Sequence, residues 1–129
     1  MITYRAGRGR LGVFCRLIPL GEGLVLYIGG GEKPHIGAVA LAVPRPSLRD
    51  PEMTSATASV LAVVGHKDDE LARPAALLAA SRSGVPVVVV AGVHIEGAKE
   101  DEIKGLVHRS RRAVAGALAA WRRYRRRSR

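Results

Sequence analysis

The chain has 129 residues and a formal net charge of +10, with 47% apolar but only 4% aromatic residues, which favours one compact domain with an aliphatic core. No run approaches the roughly 20 apolar residues that a membrane-spanning helix needs, and Arg16 interrupts the N-terminal apolar stretch, which argues against a secretory signal. The single cysteine, Cys15, excludes an internal disulfide and a multi-cysteine zinc site and favours a reducing, cytoplasmic compartment.

The first half of the chain predicts strands. Residues 1–10 are basic and rich in glycine, which favours an irregular lead-in or an edge strand. The turn signal Gly21-Glu22-Gly23 separates two apolar runs, which predicts a hairpin. Three prolines within residues 44–51 predict an exposed loop, because proline is excluded from helix interiors and central strands. The predicted strands cover residues 11–19, 24–28, 35–43 and 55–64.

Residues 58–105 set the predicted topology of the chain, because strand and helix patterns alternate along them. Valine-rich runs at 58–65 and 85–92 each stop at a glycine and flank a helical pattern at 68–84. Asp68 or Asp69 is the expected N-cap of this helix. Pro74 either kinks the helix or opens it. The predicted order is β-β-β-β-α-β-α: an α/β fold with a mostly five-stranded mixed sheet and two helices, in a single domain over 1–129.

The last helix has the clearest pattern. Acidic residues occupy 100–102 and arginines crowd its end, as the helix dipole prefers. Residues 122–129 form a basic tail with six arginines. We interpret the tail as a solvated, frayed helix end; nucleic-acid binding is the less favoured alternative. The absence of Asn and Gln suggests a thermophilic source. The predicted core stripe is Ile103, Leu106, Val107, Val114, Ala117, Leu118 and Trp121.

The two glycine-ended runs predict a site. A helix between two strands implies a parallel crossover, so both runs should end at one sheet edge, where ligands usually bind. His66 and His94 then meet there, near acidic residues, and His35 follows the triple glycine 29–31. Three interpretations stay open: a metal site, an acid–base enzyme, or a ligand site in which Lys33 or Lys67 pairs with a phosphate. A lone histidine is more often structural.

Several motifs resemble a known family. GHKDDELARPAALLA (65–79), VPVVVVAGVHIE (85–96) and EDEI (100–103), with GGGEKPHIGAVALAVPRPS (29–47), resemble the prenylated-flavin chaperone domain, the small D-type subunit encoded with UbiD-like decarboxylases. The likeness covers about residues 10–115 and implies a fold similar to proteasome assembly chaperones, which usually associate as dimers. It also implies binding of prenylated FMN or FMN and maturation of a partner decarboxylase, without catalysis. The candidate cofactor-binding residues are Gly30, Gly31, His35, Gly65, His66, Lys67, Asp68, Asp69, Gly92 and His94.

Two classes of function therefore compete. The first is a flavin-binding accessory protein for a UbiD-like decarboxylase, although few aromatic residues are available to stack on a flavin. The second is a protein-assembly chaperone that binds no small molecule and acts through its sheet or helices. A metal-dependent enzyme at His66 and His94 is a third, less favoured hypothesis.

Overall fold

The computed structural model describes residues 1–63 and 68–128, without the side chain of Asp69. A short 3₁₀ turn (Gly9–Leu11) lies between the first two strands, and the helices are α1 (Asp69–Ser83) and α2 (Glu100–Arg127). None of the helices described here is long and apolar enough to cross a membrane. The strands are β1 (Ile2–Ala6), β2 (Val13–Leu20), β3 (Gly23–Gly31), β4 (Ala38–Pro46), β5 (Thr54–Ala62) and β6 (Val87–His94).

The strands form one mixed sheet in the order β1-β2-β3-β6-β4-β5. Only β3 and β6 are parallel neighbours; the other pairs are antiparallel. The α/β prediction is confirmed, but the sheet has six strands rather than five. The additional strand is β1, which pairs with β2 at the sheet edge, in the region predicted as an irregular lead-in or an edge strand.

The relation between β5 and β6 corrects one prediction. Both strands are antiparallel to β4, so they run in the same direction, as expected from the crossover through α1. However, β4 lies between them, so their ends are not neighbours in the sheet. The predicted meeting of His66 with His94 cannot be examined, because residues 64–67 lie outside the described residues.

The two faces of the sheet differ in cover. Both helices pack on one face: α1 lies against β4, β5 and β6, and α2 lies against β1 and β2. In the central strands β3 and β6, the residues that point to this helix-covered face are nearly all buried, as in Leu26 and Val89, both 0% exposed. We call the opposite side the open face. Two rows of paired residues cross the centre of the open face. One row consists of Ile18, Val25, Val88, Leu41 and Ser59. The other consists of Arg16, Tyr27, Val90, Val39 and Leu61.

Three prolines lie where the sequence argued against regular structure. Pro44 and Pro46 belong to β4 rather than to a loop, and they are tolerated because β6 pairs with β4 only as far as Ala42. Beyond that point β4 has one neighbour, so a missing N–H disrupts no central ladder. Pro74 lies inside α1, which continues through it.

The α2 helix continues into the basic tail as far as Arg127, so residues 122–127 are helical rather than frayed. Arg125 lies over the Trp121 ring, 4.9 Å from its centroid. Ile103 departs from the predicted stripe, because it is 46% exposed, and Val107 is only half-buried. The stripe members that are buried are Leu106, Val114, Ala117, Leu118 and Trp121.

Candidate functional site

Polar side chains gather at the edge of the sheet where the parallel strands β3 and β6 end. After β3, residues 32–37 cross over the end of β6 before β4 begins, and we call them the crossing segment. The α1 helix starts beside them. The His35 N–H donates to the Gly92 carbonyl, and the Gly37 N–H donates to the Ala91 carbonyl. We call the cluster of His35, Asp68, His94 and Glu96 at this edge the histidine rim.

Asp68 is the buried centre of the histidine rim, with only 5% of its surface exposed. One carboxylate oxygen, Oδ1, accepts the Val93 N–H at 3.0 Å, and Oδ2 lies 3.1 Å from His35 Nε2. Asp68 precedes α1 at the N-cap position but makes no side-chain capping bond. The N-cap prediction is therefore wrong for its side chain, because the carboxylate turns toward β6 and His35 instead.

The two imidazole rings of the histidine rim lie close together. The ring centroids of His35 and His94 are 5.9 Å apart, and the rings meet edge to face at 81°. His94 Nε2 is 3.1 Å from a Glu96 carboxylate oxygen. His35 Nδ1 lies 3.3 Å from the Lys33 carbonyl oxygen, so both of its ring nitrogens face an acceptor. A doubly protonated His35 ring donates to both acceptors, whereas a neutral ring donates to only one.

Two glycines allow this close approach. A Cβ atom at Gly92 would overlap the His35 carbonyl oxygen, and a Cβ atom at Gly37 would overlap the Asp68 carboxylate. Both positions therefore need glycine if the crossing segment is to lie against β6 and Asp68. The Tyr27 hydroxyl, on the open face, donates to the His35 carbonyl at 3.4 Å and holds the segment from the other side.

A cavity of about 200 Å³ opens beside the histidine rim, between the first turns of α1 and α2. Asp68, Glu70 and His94 supply its polar groups. Its other walls are apolar, which is the usual composition of a small-molecule pocket. The apolar lining residues are Leu71, Val93, Ile95, Ala98, Ile103, Leu106 and Val107.

An arginine fastens the crossing segment to α2. Arg10 donates to Glu32 at 2.8 Å, to the Glu102 carboxylate and to the Glu96 carbonyl. The pKa of Glu102 lies below its ordinary value, because the Lys99 backbone N–H donates to its carboxylate and because Arg10 donates as well. No local pattern in the sequence signals this cluster, since its members come from three distant segments.

The structure brings together part of the predicted set. His35, Asp68, Gly92 and His94 meet at the histidine rim. Gly65, His66 and Lys67 fall outside the described residues, and Asp69 begins α1.

Gly30 and Gly31 line a second cavity, of about 360 Å³, which we call the glycine cavity. Its lining residues are Arg5, Gly7, Arg8, Gly9, Gly12, Val13, Phe14, Gly30, Gly31 and Pro34.

The metal-site hypothesis gains no support from the part of the chain that the structure covers. Among those residues, no three His, Cys, Asp or Glu side chains come together in a way that could hold a metal ion. The geometry of the histidine rim instead offers hydrogen-bonding groups with fixed orientations beside an apolar cavity.

Comparisons with known proteins agree with this architecture. Residues 7–122 match the prenylated flavin chaperone LpdD-like domain, while a search of curated proteins found no match. The matched range contains all of the histidine rim, the cavity beside it and every lining residue of the glycine cavity except Arg5. It extends slightly beyond the range over which the sequence motifs resembled this family. The chain therefore belongs to the prenylated flavin chaperone LpdD-like domain family.

Proposed function

We propose that this protein binds prenylated FMN, or FMN, at the histidine rim and assists the maturation of a UbiD-like decarboxylase, without catalysing a reaction itself. The family description supports a prenylated-flavin chaperone role and association with a prenylated-flavin-dependent enzyme. The observation that carries the ligand proposal is the pair of imidazoles, 5.9 Å apart, held beside an apolar cavity.

The chemistry of the histidine rim suits a flavin. A flavin ring system has an apolar body and an edge of carbonyl and nitrogen groups that need hydrogen-bond partners. His94 lines the neighbouring cavity and offers a ring nitrogen, and the apolar walls of that cavity can contact hydrocarbon. Asp68 fixes His35 from a buried position, so the ring is oriented before any ligand arrives.

The one thiol favours a binding role over nucleophilic catalysis. Cys15 is fully buried on the helix-covered face, and burial raises the pKa of its thiol to about 12. A thiol with such a pKa stays protonated near neutral pH, whereas the reactive form is the thiolate. Cys15 is therefore a core residue in this proposal.

The open face supports the proposed association with an enzyme. Apolar side chains such as Leu41 and Leu61 on this face are 47% and 80% exposed. In the six described strands, the residues with permanent charge are Arg5, Arg16 and Arg45, which all point to the open face. An apolar centre with arginines around it complements a partner surface that is apolar and edged by carboxylates. We propose that the decarboxylase supplies that surface.

The same observation favours a second candidate function, a protein-assembly module that binds no small molecule. In that case the open face alone acts, and the histidine rim is a structural network that fastens residues 32–37 to β6. The two candidates differ in whether flavin binds to the isolated protein.

Titration of the purified protein with FMN and with prenylated FMN, followed by fluorescence, tests the ligand proposal. We expect saturable binding by the wild type and affinity about tenfold lower in His94→Ala, the loss expected when a single hydrogen bond to a ligand is removed. His108→Ala is the matched control, because His108 is an exposed histidine on α2 outside the rim, and its affinity should equal that of the wild type.

Two results would contradict the ligand proposal. If the wild type binds neither flavin but is retained by an immobilised UbiD-like decarboxylase, the second candidate function is correct. If both flavins bind and His94→Ala binds as tightly as His108→Ala, the flavin site lies away from the histidine rim. Thermal unfolding of each variant shows whether a lost affinity only reflects a lost fold.

A further inference from the structure

The glycine cavity adjoins the segment that carries part of the histidine rim. Pro34 lines the cavity, and the next residue, His35, belongs to the rim. The remaining walls come from the end of β1, the loop between β1 and β2, the start of β2 and the end of β3. At about 360 Å³, the cavity falls within the size range of small-molecule sites.

The charge of the glycine cavity is positive and uncompensated. Arg5 and Arg8 line it, both side chains are exposed, and neither forms an ion pair within residues 1–63 and 68–128. Nearby Arg10 differs, because it pairs with Glu32 and Glu102. The acidic groups near the loop are therefore engaged by Arg10, and the two cavity arginines remain available for an anion from solution.

A third cation lies behind the wall of the cavity. Arg109, from α2, donates from Nε to the Leu11 carbonyl, and a Cβ atom on Gly7 would contact its side chain at 2.6 Å. Its Nη2 atom is buried and, among the described residues, has no hydrogen-bond partner. Arg109 thus places a guanidinium charge under the loop that carries Arg8, where its field adds to the positive potential of the cavity.

The cavity also has an aromatic wall. Phe14 lines it, and the Phe14 ring meets Tyr27 edge to face at a centroid distance of 5.6 Å. Arg5 and Arg16 both lie over the Phe14 ring, at 5.6 and 5.0 Å from its centroid. Of these two arginines, only Arg5 lines the cavity, which makes Arg16 a natural control.

Glycine shapes one wall of the cavity. Gly30 has φ 146° and Gly31 has φ 72°, so both have backbone conformations that other residues rarely adopt. A Cβ atom at Gly30 would overlap the Gly12 carbonyl oxygen, and one at Gly31 would overlap the His94 carbonyl oxygen. Glycine is therefore needed for the close backbone packing that forms this wall.

We propose that the glycine cavity is a binding site for the phosphate group of an organic phosphate, with Arg5 and Arg8 as the groups that hold it. Guanidinium groups bind phosphate through charge-assisted, often bidentate hydrogen bonds. On the proposed function above, on which this assignment of the ligand rests, the phosphate is that of the flavin mononucleotide. Another phosphate ester, or inorganic phosphate itself, would be recognised by the same chemistry.

Comparing FMN with riboflavin isolates the phosphate, because the two molecules share the ring and the ribityl chain. Binding of each is measured by fluorescence titration for the wild type, Arg5→Ala/Arg8→Ala and the control Arg16→Ala. The wild type and Arg16→Ala should bind FMN about 10- to 100-fold more tightly than riboflavin, the range expected for hydrogen bonds to a charged group. The double variant should bind both flavins with the affinity that the wild type has for riboflavin.

Further arms separate this proposal from the proposed function. If the double variant keeps the full preference for FMN, the phosphate site is elsewhere, although flavin binding stands.

If no flavin binds to the wild type, the proposed function fails, and titration with inorganic phosphate and with pyrophosphate then tests the cavity alone. Loss of their binding in Arg5→Ala/Arg8→Ala, but not in Arg16→Ala, supports the site, and no binding to the wild type overturns it. Partial recovery in Arg5→Lys/Arg8→Lys would show that charge matters.

Discussion

The two faces of the sheet are built from the same strands and are both largely apolar, but they differ in how far they are buried. On the helix-covered face, Leu26, Val89 and Ala40 have no exposed surface. On the open face, Ile18 is 42% exposed and Leu41 is 47% exposed. The helix-covered face is thus complete within one chain, while the open face keeps an apolar surface that the fold does not need.

The face that stabilises the fold is therefore different from the face that we expect to bind a partner. Burial of apolar surface under α1 and α2 stabilises the domain at roughly 25 cal/mol per Å². The apolar residues of the open face contribute less of this free energy while they contact water. A contiguous exposed apolar area is typical of a surface that binds another protein. Predictions about stability therefore concern the helix-covered face, and predictions about association concern the open face.

The largest effect should come from deleting a side chain on the helix-covered face. Leu26→Ala leaves a cavity between the sheet and the helices and should lower the free energy of unfolding by about 3 kcal/mol. Leu41→Ala makes the same chemical change on the open face, and it should cost under about 1 kcal/mol, because water already reaches Leu41. Urea unfolding, followed by circular dichroism, compares them. Equal losses would mean that the open face is as important for folding as the helix-covered face.

A smaller effect should appear at alkaline pH. Burial raises the pKa of Cys15 from its ordinary 9.0 to about 12 in the folded chain. Above the lower value the unfolded chain loses the thiol proton and the folded chain keeps it, so ionisation favours unfolding. The contribution of the thiol is complete below pH 9.0 and is lost as the pH rises toward about 12. By about pH 10.5 the loss should reach about 2 kcal/mol.

Urea unfolding at two pH values measures this loss. Between about pH 8 and about pH 10.5, the wild type should lose about 2 kcal/mol more than Cys15→Ala, which has no thiol to ionise. Val13→Ala weakens the core on the same strand but keeps the thiol, so its loss should match that of the wild type. A wild-type loss no larger than that of Cys15→Ala would show that the Cys15 thiol ionises as easily in the folded chain as in the unfolded one.

Local patterns in the sequence predicted most elements of the fold. Short valine-rich runs indicated β5 and β6, and acidic residues followed by arginines indicated α2, because these signals lie within the element itself. Strand order has no such signal. The parallel neighbour of β6 is β3, and their pairing joins Leu24 to Val87, which are far apart in the chain. For the same reason the sequence did not decide between a lead-in and an edge strand for β1, since the stability of β1 comes from pairing with β2 and packing on α2.

The candidate site shows the same limit. The sequence indicated His35, Asp68 and His94 because each follows a glycine-ended strand or precedes a helix. It assigned Asp68 to capping, which needs only neighbours in sequence. The actual partners of Asp68 are Val93, 25 positions away, and His35, 33 positions away. A buried carboxylate takes the donors that the fold brings to it, and a single sequence does not show which donors these are.

We expect Leu61→Glu to have the smallest effect on stability. The same variant gives the most direct test of the open face as a binding surface. Leu61 is 80% exposed at the end of β5, so a charge there should change the free energy of unfolding by less than about 0.5 kcal/mol. The charge should nevertheless weaken capture by an immobilised UbiD-like decarboxylase, because the partner surface is expected to be apolar with carboxylates around it. Leu48→Glu is the control, since Leu48 is 91% exposed but lies outside the sheet, and capture should be unaffected.

If Leu61→Glu instead leaves capture intact and converts a dimer to a monomer in sedimentation, the open face binds a second copy of this chain. If it changes neither, the exposed apolar rows are not an interface at that end of the sheet, and the contrast between the two faces has no consequence for binding there.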